Sequence, residues 1–209
     1  GNQFLANIRE CSAIVHIVRA FENNDIVHVY DAVQPEHDIE VINTELMLAD
    51  LQTVEKVLPR LAKEAKANPK NKPTVEIVEK IKALLEAGDS AGIQALIEKQ
   101  DPDTDTMREV KSLQLISTKP VIYVFNIDEA DLSNAVKQKA LGSLVAPAQS
   151  LFVNAQLEAE LKDMNDIEAA EMLESYGQHE SGLTQVIHAA YKTLGLQSYL
   201  TSGGTEVRA

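Results

Sequence analysis

Three short apolar runs stand out along the chain, and the first two are mostly β-branched. They occupy residues 13–19, 121–125 and 150–154. Such runs are typical of strands that are buried on both faces of a sheet. Apolar residues recur at helical spacing in 133–144, 167–176 and 183–194. Because parallel strands need crossover connections, this alternation predicts an α/β fold with a parallel sheet and helices on its faces.

The segment between the first two strands is too long for one crossover and carries its own helical pattern. Apolar residues recur at helical spacing over 39–65 and again over 75–85. Two prolines and two asparagines within residues 68–73 separate the two patterns. We expect two helices that pack antiparallel as an inserted hairpin, a coiled coil with residues 68–73 at its tip. Pro59 lies inside the first helix and predicts a kink or a break there.

Shorter elements complete the pattern. Gly88 and Asp89 are expected to end the second long helix, and short helices over 91–99 and 106–115 lead back to the sheet. Residues 195–209 predict a strand, a Gly-Gly turn and another strand. A hairpin alone is only marginally stable, so we interpret these residues as the start of a further domain.

Composition places the chain among ordinary globular proteins. Of its 209 residues, 44% are hydrophobic and 24% are charged. No apolar stretch approaches the roughly 20 residues of a membrane-spanning helix, and the first residues lack the features of a signal peptide. The single cysteine, Cys11, excludes an internal disulfide and fits a reducing, cytoplasmic location. We expect it to be a small packed side chain.

The net charge of −13 is unevenly distributed. Residues 55–82 contain eight Lys and Arg against four Glu, a local net charge of +4. The acidic molecule as a whole is unsuited to non-specific nucleic-acid binding. The basic segment has two interpretations, which are a solvated helical face and a docking surface for RNA or a ribosome. The docking candidates near the predicted tip are Lys63, Lys66, Lys70 and Lys72.

The polar tetrad Asn126-Ile-Asp-Glu129 follows the second strand, and ligands bind at the carboxyl ends of parallel strands. The tetrad resembles the Asn-Lys-x-Asp motif of P-loop GTPases, in which the aspartate accepts two hydrogen bonds from guanine. Ile127 replaces the lysine, and Glu129 is one methylene longer than aspartate. Loss of the paired contact lowers the preference for guanine, so the tetrad permits ATP as well as GTP. A plain loop with a helix-capping acidic residue is the alternative.

The third predicted strand strengthens the first interpretation. Residues 150–155 (Ser-Leu-Phe-Val-Asn-Ala) resemble the fifth GTPase motif, whose turn places backbone N–H groups beside the base. No catalytic residue and no metal-ligand spacing are found: the five histidines are isolated, and no nucleophile elbow is present. Gly-x-x-x-x-Gly-Lys-Ser/Thr is absent from the 209 residues. We therefore expect no group in this sequence to cradle the terminal phosphates or hold Mg²⁺.

Several motifs in order resemble the YchF subfamily of Obg-related P-loop GTPases, also called Obg-like ATPases. Residues 1–10 are similar to the segment after switch II, and residues 18–26 (Val-Arg-Ala-Phe-Glu-Asn-Asn-Asp-Ile) to a characteristic stretch of that family. Residues 38–46 resemble the start of its coiled-coil insertion. Residues 126–129 match its altered base motif, and residues 206–209 fall early in its TGS domain. The resemblance covers essentially the whole chain.

The resemblance implies a cytoplasmic, ribosome-linked hydrolase that uses ATP or GTP with Mg²⁺. It implies four parts: 1–35 and 118–195 of the nucleotide-binding domain, 36–117 as the helical insertion, and 196–209 as the start of TGS. By carry-over, the base-binding residues are Phe21, Asn126, Ile127, Glu129, Asn154, Ala155 and Gln156. The phosphate loop and both switches would precede residue 1, so we expect a hydrolytically inactive fragment. The alternative is a non-catalytic module that docks on the ribosome or RNA under nucleotide control.

Overall fold

The computed structural model describes residues 2–22, 33–197, 201–202 and 207–208. The chain divides into two compact units. One unit joins residues 1–11 to residues 36–119 and is helical, and the other joins residues 12–35 to residues 120–209 and contains the sheet.

The helical unit is built from five α-helices and two short 3₁₀ turns among its described residues. The helices are α1 (Asn2–Glu10), α2 (Pro35–Ala67), α3 (Lys72–Glu86), α4 (Ser90–Glu98) and α5 (Asp105–Ser112). The turns are Pro69–Asn71 and Ile116–Thr118. The four helices α2 to α5 lie where the sequence predicts them, and Asn68 caps the first turn by accepting a hydrogen bond from the Lys70 N–H at 3.2 Å.

Pro59 does not interrupt α2, so of the predicted kink or break at this residue the break is wrong. The helix continues for 33 residues through the proline. Its neighbour Leu61 is only 3% exposed, and Leu58 also packs against the core of this unit. Burial of these side chains offsets the single backbone hydrogen bond that proline removes.

One apolar core holds α2 to α5 together. Its most deeply buried members have no exposed surface, and they are Val54 of α2, Val78 and Ile81 of α3, and Ile93 of α4. Met107 and Val110 of α5 complete it. The periodic apolar positions of the sequence therefore do form the inner faces of these helices.

A buried carboxylate ties α1 to this unit. Asp50 is fully buried in α2 and accepts hydrogen bonds from Arg9 Nη1 at 2.8 Å and from the Ser117 N–H and hydroxyl, both at 2.7 Å. Arg9 also donates to the backbone oxygens of Ala49 and Gln114. Because both carboxylate oxygens of Asp50 accept hydrogen bonds, the free-energy cost of burying this charge is largely offset.

The second unit contains the predicted parallel sheet, which confirms the α/β fold. Its strands are β1 (Ile14–Ala20), β2 (Val121–Ile127) and β3 (Gln149–Val153), in the order β1-β2-β3. Val18 pairs with Phe125, and Phe125 pairs with Phe152. The helices of this unit are α6 (Ala135–Ser143), α7 (Ala155–Leu161), α8 (Asp166–Ser175) and α9 (Gly182–Leu194).

The sheet is buried by α9 on one face. Ile122 and Val124 of β2 pack against Ala189, with Val186 and Ala190 alongside. Gly182, the first residue of α9, lies close to β3, because a Cβ placed on it would lie 2.5 Å from Val153 Cγ1. The strands thus form a fixed platform whose carboxyl ends carry the predicted site.

Beyond α9 the structure describes two short strands, β4 (Thr201–Ser202) and β5 (Val207–Arg208), which pair antiparallel. This agrees with the predicted strand–turn–strand pattern, although the glycines of the turn lie outside the described residues. No helix within the described ranges is long and apolar enough to cross a membrane.

Candidate functional site at the carboxyl edge of the sheet

Parallel register brings the ends of all three strands to one edge. Ala20 pairs with Ile127, and Asn126 pairs with Val153. Phe21 directly follows β1, residues 126–129 span the end of β2, and residues 154–156 follow β3. All of the predicted base-binding residues therefore lie at this edge.

Two asparagines lock the β2 and β3 ends together. Asn126 Oδ1 accepts a hydrogen bond from the Ala155 N–H at 3.0 Å. Asn154 Nδ2 donates to the Ile127 backbone oxygen at 2.8 Å, and its Oδ1 accepts from the Leu157 N–H at 2.8 Å. Asn154 is thus the N-cap of α7 and a cross-link to β2 at once.

These bonds change two of the predicted roles. The Ala155 N–H is taken by Asn126, so it is not directed at a base, contrary to the expectation for this turn. The polar atoms of the Asn154 side chain are likewise bonded to the protein. Asn126 retains two amide N–H groups that can donate to a purine nitrogen, and that acceptor is shared by adenine and guanine.

Ile127 does not offer an apolar flank to a base, so the role predicted for it is wrong. Its side chain is 1% exposed and belongs to the core. The strand continues two residues beyond Phe125, to Ile127. Because side chains alternate between faces along a strand, Ile127 points to the same side as the fully buried Phe125.

Glu129 is the exposed carboxylate of the edge. It begins a short 3₁₀ turn, Glu129–Asp131, whose following residue Leu132 is 5% exposed. Gln138 donates to the Asp131 and Leu132 backbone oxygens at 3.0 and 2.8 Å. The backbone of the turn is therefore held from α6, while the carboxylate itself faces outward.

Among the residues that the structure describes, the Glu129 carboxylate has one side-chain partner, which comes from a distant part of the chain. Tyr176, at the C-terminal end of α8, donates its hydroxyl to Glu129 Oε1 at 2.6 Å. This hydrogen bond and partial desolvation raise the pKa of Tyr176 above its ordinary value, so the hydroxyl stays protonated and donates at neutral pH.

Phe21 is half-buried and lies under a cation. The guanidinium carbon of Arg19 is 4.7 Å from the centre of the Phe21 ring, and Arg19 Nε donates to the Phe21 backbone oxygen at 3.3 Å. Of the two predicted flanking residues, Phe21 and Ile127, Phe21 is the less buried. Gln156 is exposed, and its amide bonds Glu160 within α7. Asp25 and Ile26, which carry part of the family resemblance, lie outside the described residues.

The described residues provide no group of three or more His, Cys, Asp or Glu side chains that could hold a metal ion. The Mg²⁺ that the resemblance implies thus finds no such cluster among the described residues.

The basic segment, residues 55–82, lies in the helical unit. Its basic side chains differ in whether they form ion pairs with acidic residues. Arg60 is paired with Glu109 and Glu64, and the hydrogen bond that Arg60 donates to Glu109 raises the pKa of Arg60 above the ordinary value. Lys82 likewise bridges acidic residues of α2 and α3. The four lysines near the turn are exposed and have no ion pair within 4 Å across the residues that are described: Lys63, Lys66, Lys70 and Lys72.

Sequence reasoning did not identify Tyr176 or Arg19 as site residues. Tyr176 is 47 positions from Glu129, and no spacing rule connects a helix end with a strand end. Arg19 could have been found, because its position one residue before the end of β1 places it beside Asn126 in a parallel register.

Comparison with known proteins gives a consistent result along the whole chain. No protein-family model matches the sequence. The chain is 42% identical to the ribosome-binding ATPase YchF of Pasteurella multocida and 38% identical to that of Bacillus subtilis. Each match covers 100% of this chain and 57% of the relative.

A solved structure agrees with these relatives. The YchF GTPase of Schizosaccharomyces pombe matches with a TM-score of 0.77 and 32% identity, over 100% of this chain and 57% of that one. The chain therefore spans a little over half the length of the relatives it matches. Sequence and fold therefore agree over all of the chain's residues in their similarity to proteins named YchF.

Proposed function

We propose that the carboxyl edge of the sheet is a purine-binding site and that the full-length protein binds and hydrolyses ATP or GTP. The observation that carries this proposal is the cross-link between Asn126 and the Ala155 N–H, at 3.0 Å. It joins the two base-side loops and leaves the amide N–H groups of Asn126 and the outward carboxylate of Glu129 for a ligand. Relatives named as an ATPase and a GTPase support the same activity.

The choice of base follows from the groups that the edge presents. Asn126 reaches an acceptor common to both purines and does not discriminate. Glu129 replaces the aspartate that pairs with guanine, so the strong preference for guanine is lost. Phe21 is the residue that supplies an apolar flank, and Gln156 lies at the rim.

The binding experiment uses calorimetric titration of the full-length protein with ATP and with GTP. We expect both nucleotides to bind. Glu129→Ala should weaken the binding of any nucleotide whose base contacts the Glu129 carboxylate. Glu98→Ala removes an exposed carboxylate from α4 and is the matched control. Equal affinities for wild type, Glu129→Ala and Glu98→Ala would remove the proposed base site.

We further propose that residues 1–209 alone do not turn nucleotide over, since no phosphate-binding loop is found among them. Measured as phosphate release, the 209-residue chain should not exceed a protein-free blank. ATP hydrolysis that persists after rigorous purification would refute this part of the proposal.

A second function concerns the helical unit. We propose that α2 and α3 form the predicted coiled-coil hairpin. The predicted domain boundaries, with the start of a TGS domain at residues 196–209, are likewise proposals. Residues of α2 and α3 meet in reversed order: Glu55 pairs with Lys82, and Ala65 lines the same apolar depression as Val75. This order supports an antiparallel pair with its turn at Pro69–Asn71.

We propose that the unpaired lysines at this turn dock on a ribosome in the cytoplasm. The name of the Pasteurella relative, a ribosome-binding ATPase, supports this partner. Charge reversal of Lys63, Lys66, Lys70 and Lys72 should abolish co-sedimentation with ribosomes. The control reverses four exposed lysines elsewhere, with the same change in net charge: Lys99, Lys139, Lys162 and Lys192. Equal loss in both variants, or no loss in the first, would argue against docking through the turn.

A further inference from the structure

The contact between Tyr176 and Glu129 has a consequence for base selection, and it rests on the proposed purine site. Tyr176 donates its hydroxyl to Glu129 Oε1 at 2.6 Å. Glu129 is otherwise exposed, and its second oxygen has no protein hydrogen bond among the described residues. One oxygen of the carboxylate is therefore engaged before any ligand arrives.

The contact is held in place from both sides. Tyr176 is the C-cap of helix α8. After it, Gly177 has a φ of +68°, and the Gln178 N–H donates to the Leu173 backbone oxygen at 2.9 Å. This ending is a Schellman-type cap that fixes the last turn of the helix. Gln178 Nε2 also donates to the Leu132 backbone oxygen at 3.2 Å. The helix end and the Glu129 turn are thus joined by a second bond, independent of the tyrosine hydroxyl.

The two purines make different demands on a carboxylate. Guanine presents a ring N–H and an exocyclic amine side by side, and both oxygens of a carboxylate are needed to accept from the pair. Adenine presents a single amine, for which one oxygen is enough. Oε1 keeps a second lone pair, but its bond to Tyr176 fixes its direction and weakens it as an acceptor for a second donor. The carboxylate is therefore better matched to adenine than to guanine.

We infer that Tyr176 is a specificity-determining residue, which holds Glu129 Oε1 so that a single carboxylate oxygen is left for the base and adenine is favoured over guanine. Tyr176 acts through Glu129 and does not itself need to contact the base. Tyr176→Phe removes the hydroxyl and keeps the ring, so it frees the second oxygen without removing the carboxylate.

The test measures affinities of the full-length protein for ATP, GTP and ITP by calorimetry. In Tyr176→Phe, the ratio of ATP affinity to GTP affinity should fall about tenfold, the effect of one recovered hydrogen bond to a charged group. ITP has the ring N–H without the amine, so its affinity should change less than that of GTP. Tyr191→Phe, which removes an exposed hydroxyl from α9, should leave the ratio unchanged.

A double-variant cycle separates positioning from a general structural effect. If Tyr176 acts through the carboxylate, Tyr176→Phe should have no further effect on the ratio in a Glu129→Gln background. An unchanged ratio in the single variant, or the same shift in both backgrounds, would overturn the inference and leave the purine site standing. Failure of the wild-type protein to bind any of the three nucleotides would remove the purine site itself, and the inference with it.

Discussion

We predict that the hydrogen bonds of Asn154 contribute measurably to the stability of the unit that contains the sheet. Asn154→Ala removes the N-cap of α7, in which Oδ1 accepts from the Leu157 N–H at 2.8 Å. Loss of such a cap costs about 1 kcal/mol. The substitution also removes the donor to the Ile127 backbone oxygen at 2.8 Å, which costs about 1 kcal/mol more. We expect a total near 2 kcal/mol in the free energy of unfolding.

Asn165 provides a matched control, because it is also an asparagine N-cap. It accepts from the Ile167 and Glu168 N–H groups at the start of α8 but donates no cross-strand bond. Asn165→Ala should therefore cost only the cap, about 1 kcal/mol. The difference between the two variants isolates the bond to Ile127.

The assay is urea unfolding followed by circular dichroism, combined with hydrogen exchange of amides in β2, β3 and α7. Because the chain has two compact units, hydrogen exchange is needed to show that the loss of stability occurs in the unit that contains the sheet. Asn154→Ala should accelerate exchange at Leu157 and at the β2 end more than Asn165→Ala does. Equal destabilisation by the two variants would refute the reasoning, since the cross-link would then contribute nothing.

Two further predictions concern other parts of the molecule. Asp50→Ala should destabilise the helical unit by about 3–5 kcal/mol, measured by urea unfolding, because it leaves the partly buried Arg9 without its carboxylate; a loss below 1 kcal/mol would contradict the role of this pair. Tyr176 should titrate above its ordinary value of 10.0 when followed by absorbance at 295 nm and compared with Tyr176→Phe, and Glu129→Gln should lower that value. Because the pKa of Tyr176 is raised on folding, its contribution to stability is complete below about pH 10 and is lost as pH rises through the folded value. A titration at or below the ordinary value would count against the hydrogen bond.

Periodicity predicted the elements well because each signal is local. The spacing of Val78 and Ile81 in α3 leads directly to the core of the helical unit, where both are fully buried. The apolar run of β2 likewise predicted a strand in a parallel sheet. Such patterns reflect the burial of one helix face or of a whole strand, and those are decided within a few residues.

The site was predicted less completely, because its details depend on strand length and on distant contacts. The end of β2 lies two residues later than the apolar run indicated, and this reverses the role expected of Ile127. The α7 helix was missed, although Asn154 followed by strong helix formers is a start signal. Tyr176 meets Glu129 only through the packing of α8, which no local pattern encodes.

The central claim is that this edge binds a purine without the strong guanine preference of the unaltered motif. The most direct measurement is a competition between ATP and GTP for the full-length protein, at equal ionic strength and with Glu129→Asp as the comparison variant. The wild type should bind ATP at least as tightly as GTP, and the shorter carboxylate should move the ratio toward GTP. A wild-type protein that prefers GTP severalfold, with no change in Glu129→Asp, would contradict this assignment of the site.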